Sequence, residues 1–92
     1  MTSTDASQLT AEQIRSAKFR APGWGMRGYD AGEVQAFLNK IADSLEHQGP
    51  EVSAQDVHDV VFHKSRPRRA GFRELEVDVF LERIEGDLRQ AG

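Results

Sequence analysis

Trp24 is the only tryptophan in the 92-residue chain, and it stands between Gly23 and Gly25, with Met26 and Arg27 following. Glycines on both sides free the backbone for a tight turn and give the indole no packing neighbour along the chain. An indole and a thioether beside arginines suit a segment that dips into a membrane interface. The indole favours the headgroup region, and each arginine near an anionic surface contributes about 1 kcal/mol. Two other readings of the same residues stay open: Trp24 folds back onto a small core, or it is a peptide-binding hot spot, since tryptophan and arginine are enriched there.

A second stretch could bind anions. Lys64, Arg66, Arg68 and Arg69 fall close together in one loop, with no acid before Arg73, which follows the loop. These cations suit phosphates of lipid or nucleic acid, or acidic protein tails; the plain alternative is a solvated basic loop. The net charge of −3 and the lack of a recognition helix argue against nucleic acid. Elsewhere the reactive inventory is thin. The chain has no cysteine, which excludes disulfides, thiolate nucleophiles and cysteine-based metal sites. Of the three histidines, His58 and His63 are five apart across an expected helix end, and His47 stands alone; neither arrangement is a metal-ligand spacing. The carboxylates are spread among lysines and arginines on expected helix surfaces. With no metal motif, phosphate loop or nucleophile elbow, the reading is a non-enzymatic protein with no cofactor.

The elements that must position these loops come from a duplication. An ungapped shift of 43 positions lays Phe19 on Phe62, Gly28 on Gly71, Glu33-Val34 on Glu76-Val77, Phe37-Leu38 on Phe80-Leu81, Ile41 on Ile84 and Leu45 on Leu88. Leu9 with Val52, Thr10 with Ser53, Ile14 with Val57 and Tyr29 with Phe72 are conservative matches. The expected division is a lead-in over 1–8, one unit over 9–47, a linker over 48–51 and a second unit over 52–90. In the linker, Gly49 suits the residue that closes a helix, and Pro50 stops its continuation. Each unit reads as a short helix, an irregular loop and a longer helix. Thr10 with Gln13, and Ser53 with Asp56, fit capping boxes. The short helices are too short to hold alone in water and must dock on a longer one. The longer helices, expected from about Asp30 to Glu46 and Glu74 to Gln90, carry matching stripes: Val34, Phe37, Leu38, Ile41, Leu45 and Val77, Phe80, Leu81, Ile84, Leu88. Asp30 and Glu33 suggest a third capping box, whereas the corresponding cap position of the second unit is Arg73, a poor cap beside a positive helix end.

The segment Leu9-Thr10-Ala11-Glu12-Gln13-Ile14-Arg15, then Phe19, Arg27-Gly28-Tyr29-Asp30, Glu33-Val34 and Phe37-Leu38, resembles the N-terminal domain of DivIVA, a bacterial division and polarity scaffold. Gln35 replaces the aspartate of the family's Glu-Val-Asp-x-Phe-Leu signature. The second unit is similar but more divergent: Ala70-Gly71-Phe72-Arg73 stands where the family has Arg-Gly-Tyr-Asp, and Glu76-Val77-Asp78-Val79-Phe80-Leu81 restores the helix signature. The resemblance covers nearly all of residues 9–90. It implies a mostly α fold in which the two units pair as a pseudo-two-fold helical domain with short, β-like crossed loops. It leaves open a monomer paired within itself or a homodimer. It implies attachment to division or polar-growth machinery, with membrane contact through Trp24, Met26 and Arg27. Related adaptors of that fold instead bind arginine-containing tails of cell-wall synthases through helix acids and a tyrosine near the turn, which points to Tyr29, Asp30 and Glu33. The family's long coiled-coil tail does not follow in this sequence.

Residues 1–8 are polar and small, without the basic start and apolar core of a signal peptide. They are expected to be a disordered lead-in to a cytoplasmic protein, peripheral at the inner face of the cell membrane if the loops engage lipid.

Overall fold

The computed structural model describes residues 8–91, so the expected lead-in lies, but for Gln8, outside the described residues. The chain is mostly helical. In order it forms α1 (Ala11–Arg15), β1 (Tyr29–Asp30), α2 (Ala31–Leu45), α3 (Ala54–Asp59), β2 (Gly71–Phe72) and α4 (Glu74–Ala91). The short helices begin where their caps require. Thr10 and Ser53 each accept the backbone N–H three residues on, and Gln13 and Asp56 accept in return from the cap backbone, closing both boxes. The third box is half made: Asp30 Oδ1 accepts the Glu33 N–H at 3.0 Å, while the Glu33 carboxylate turns instead to His63.

Helix α2 closes two residues earlier than its glycine suggested. His47, not Gly49, takes the left-handed conformation after the helix, at φ 57°. The Gln48 N–H reaches back to Asp43 O at 2.8 Å and the His47 N–H to Ser44 O at 3.1 Å, the pair of bonds that defines a Schellman motif. These bonds hold a side chain in a conformation that glycine adopts without strain.

Helix α1 packs on α2, and α3 on α4. The apolar stripes meet in one core of Ile14, Val34, Leu38, Ile41, Ala42, Val52, Val57, Val77, Leu81 and Ile84. Phe37, Phe80 and Leu88 pack at its margin, and Leu45, the last stripe residue of α2, is exposed. No helix among the described residues is long and apolar enough to cross a membrane.

The segments after α1 and α3 cross. Phe19 leaves α1 and packs against Phe72 and Phe80, with ring centroids 5.2 and 5.6 Å apart. Phe62 leaves α3 and packs against Tyr29 and Phe37 at 5.4 and 5.9 Å. Between them β1 and β2 pair antiparallel, with Tyr29 opposite Phe72 and Asp30 opposite Gly71. The flanking backbone bonds come in the same crossed way: Asp30 N–H to His63 O at 2.9 Å, and Arg73 N–H to Arg20 O at 3.0 Å. So do the ties at the helix entries: Leu9 N–H to Asp87 Oδ2 and Val52 N–H to Ser44 Oγ, both 2.8 Å. Two glycines permit the approach. A Cβ on Gly28 would overlap the Phe72 carbonyl, and one on Gly71 would fall 2.6 Å from Ser65 Oγ.

Replacing His47 by glycine is expected to stabilise the fold. Relief of left-handed strain, about 1–2 kcal/mol, exceeds the entropy cost of glycine, about 0.5–1 kcal/mol. A thermal melt should show His47→Gly with a Tm a few degrees above the unmodified chain.

Candidate functional site

The first loop ends in a tight turn. The Met26 N–H closes on Gly23 O at 2.9 Å, and Gly25, the third residue, has φ 78°. A left-handed third residue is the mark of a type II turn and favours glycine there. Trp24 takes the second position and points fully into solvent, at 101 % relative exposure, with Met26 at 70 %. The indole therefore does not fold back onto the core. The second loop makes the matching turn from Arg66 to Arg69, closed by the Arg69 N–H on Arg66 O at 3.0 Å. Pro67 occupies the position of Trp24, and Arg68 the left-handed position, at φ 67°. One turn thus presents an apolar wedge and the other presents cations.

The loops lie against one another and against the start of α4. Arg27 Nε donates to Ser65 O at 2.8 Å, and the Ser65 N–H donates to Gly28 O at 2.6 Å. Ser65 is buried. Arg73 Nε donates to Ala21 O at 2.9 Å. Arg20 grips Glu76 twice, through its backbone N–H at 2.9 Å and its Nε at 2.6 Å. The Arg20 backbone N–H, then its side chain, holds the Glu76 carboxyl below the usual glutamate range against the opposing effect of desolvation. Lys64 pairs with Glu74.

The residues suggested for peptide capture are occupied within the chain. The Tyr29 hydroxyl donates to Asp78 Oδ1 at 2.8 Å; burial, then that bond, pushes its pKa up. Asp30 caps α2. Glu33 accepts the His63 N–H at 2.8 Å and meets its Nδ1 at 2.9 Å. Asp30 and Glu33 line a groove of about 560 Å³, and its other walls are Arg27, His63, Lys64, Arg66 and Arg69. Four permanent cations against two carboxylates give that groove the sign for an anion rather than for a basic peptide. The basic loop residues Lys64, Arg66 and Arg69 are therefore brought together with Arg27, which their sequence separation did not reveal. No cluster of histidines and carboxylates suited to a metal ion occurs among the described residues.

Two further residues join the loop region that the sequence did not single out as site residues. Leu75 is 74 % exposed on the first turn of α4, off the buried stripe of that helix. Arg73 lies beside it. The available signals were an apolar residue out of phase with the stripe and an arginine where a cap belongs. No protein-family model, curated protein or solved structure matches the chain.

The depressed Glu76 pKa sets a direction for pH dependence. A carboxylate whose pKa is lower folded than unfolded stabilises the fold above its unfolded value, about 4.3 for glutamate. That contribution is lost as pH falls through the folded value. In urea titrations, Glu76→Gln should lower the midpoint at pH 7, and the two proteins should converge in acid once Glu76 is protonated in both states.

Proposed function

We propose that this chain is a non-enzymatic binding module, a tandem of DivIVA-like units paired within one polypeptide, which docks on an anionic membrane surface in the service of division or polar-growth machinery. The observation that carries the membrane reading is the complete exposure of Trp24 on a turn beside Met26 and Arg27. An indole exposes on the order of 200 Å², and at about 25 cal/mol per Å² its complete transfer out of water sets an upper limit of about 5 kcal/mol, of which an indole lodged among hydrated headgroups realises a fraction. A turn held by a backbone bond and a left-handed glycine presents that surface rather than hiding it. Lys64 lines one groove with Gly23 and Met26, the ends of that turn, and Arg66 and Arg69 line another with Arg27, so electrostatic attraction acts close to the wedge.

Pairing of the units within one chain is supported by the crossed contacts. Several ties from residues 9–47 to 52–90 have a counterpart at positions shifted by 43: Phe19 on Phe72 and Phe80 against Phe62 on Tyr29 and Phe37, and Arg20 on Glu76 against His63 on Glu33. The sequence departures fit the same pairing. Tyr29 bonds Asp78, while the shifted positions hold Phe72 and Gln35. The hydroxyl and the carboxylate that would meet on the other side are both missing, which is expected if the two positions face each other. Tyr29, Asp30 and Glu33 already bond within the chain, so a basic peptide tail captured there would compete with those bonds.

Flotation with phosphatidylglycerol vesicles tests the membrane reading. The chain should float with them, and Trp24→Ala should cut the bound fraction by about tenfold, the equivalent of 1.4 kcal/mol. Equal flotation of the two proteins overturns it. Sedimentation velocity tests the pairing separately: the chain should run as a compact monomer, and an obligate dimer of exchanged units would refute it.

A further inference from the structure

Directly beneath the Trp24 turn, a groove of about 450 Å³ opens between the first loop and the first turn of α4. We propose that it is a binding site for the phosphate headgroup of an anionic phospholipid. The proposal rests on the membrane reading above and adds to it a defined ligand and residues outside the loop tip.

The groove has two unlike walls. Pro22, Met26 and Leu75 form an apolar one; Arg27, Lys64 and Arg73 form a cationic one. Glu74 is the one acid on the lining, and Lys64 already pairs with it. Three cations against one carboxylate leave a net attraction for a phosphate. The volume lies within the roughly 300–1,000 Å³ of small-molecule sites. Gly23 and Met26, the two ends of the turn that carries Trp24, belong to the lining, so an indole placed among headgroups brings the groove to the same depth.

The two arginines are held rather than loose. Arg27 and Arg73 each donate Nε to a backbone carbonyl, Ser65 O at 2.8 Å and Ala21 O at 2.9 Å. A guanidinium has five N–H donors, so a tether at Nε fixes its plane and keeps the terminal amino groups for a ligand. Fixing it beforehand lowers the entropy lost when a phosphate binds. The tethers run in opposite directions, from the first loop to the second and from the α4 entry to the first loop. The groove therefore exists only where both halves of the chain meet.

Arg73 and Leu75 both break a local rule at this place. Arg73 occupies the position that Asp30 fills before α2. An arginine has no acceptor, so α4 forgoes a cap bond worth about 1 kcal/mol and carries a cation at its positive end. Leu75 leaves an isobutyl group in water, off the α4 seam. Unfavourable choices that gather on one groove are expected where binding requires them. A free inorganic phosphate would use the cations and leave Met26 and Leu75 wet, whereas a phospholipid covers both walls.

The test uses the full chain with phosphatidylglycerol vesicles, pure phosphatidylcholine vesicles, and the separate substitutions Arg73→Gln, Leu75→Ser and Trp24→Ala. Arg73→Gln should lower binding to phosphatidylglycerol vesicles about fivefold, the effect of one cation at an anionic surface, and should leave any phosphatidylcholine binding unchanged. Leu75→Ser, on an exposed helix position that leaves the fold intact, should lower binding to both. Amide shifts on adding dihexanoyl phosphatidylglycerol below its micelle concentration should localise to Met26, Arg27, Arg73 and Leu75. If Trp24→Ala weakens vesicle binding while Arg73→Gln and Leu75→Ser bind as the unmodified chain does, the headgroup site is refuted and the membrane reading stands. If inorganic phosphate shifts the same amides at the same concentration as the lipid, the site is a phosphate site and the lipid assignment fails. If neither vesicles nor short-chain lipid bind, both readings fall.

Discussion

The antiparallel pairing of Tyr29 and Asp30 with Gly71 and Phe72 is the contact on which the rest of the structure depends. Two residues per strand are far too few to hold together alone in water. They hold because aromatic rings clamp both sides: Phe19 across the second strand, Phe62 across the first. They also hold because Gly28 lets the chain approach the Phe72 carbonyl to a distance that any Cβ would prevent, and because Gly71 leaves room for the Ser65 side chain. Each strand runs directly into a long helix, so the pairing fixes where α2 and α4 begin. It thereby brings the two apolar stripes into a single core.

The crossing explains why the loops are rigid enough to present side chains. A loop joining two helices of one unit would ordinarily be the most mobile part of so small a protein. Here each loop is fastened to the opposite unit at both ends. The first is tied by Arg20 to Glu76 and by Gly28 to Ser65; the second is tied by His63 to Glu33 and by Ala70 O, which accepts the Ala31 N–H. Most of these bonds are exposed, and individually they add little. Their combined effect is positional: Met26 and Arg27 share a groove with Lys64, and Arg27 and Lys64 share another with Arg66 and Arg69.

The two loops make the same turn and differ in what it displays. Gly25 and Arg68 both occupy the left-handed position, and the bonds that close the two turns have nearly the same length. Trp24 opposite Pro67, and Met26 opposite Arg69, make one turn apolar and the other charged. A symmetric pair of identical chains presents two copies of one surface. A single chain whose two loops differ in sequence presents unlike surfaces, and the groove beneath the first loop has an apolar wall and a cationic wall.

The sequence by itself determined the local elements. The capping boxes at Thr10 and Ser53, the stripes of the long helices and the turn glycines depend on interactions within a few residues, so they were legible from spacing alone. The closure of α2 was misplaced because glycine is the commonest left-handed residue, and the Schellman bonds of this helix impose that conformation on His47 instead. Everything that joins positions forty or more residues apart was decided by the tertiary structure. Periodicity reports which face of a helix is apolar, but not which partner covers it. For the same reason the sequence left Trp24 free to lie in the core or in water, did not show the bonds that Tyr29 and Glu33 make within the fold, and gave no sign that Arg73 and Leu75 belong with Arg27. Those outcomes depend on the crossing of the two loops, and a crossing is a long-range arrangement whose energy is recorded in no single stretch of chain.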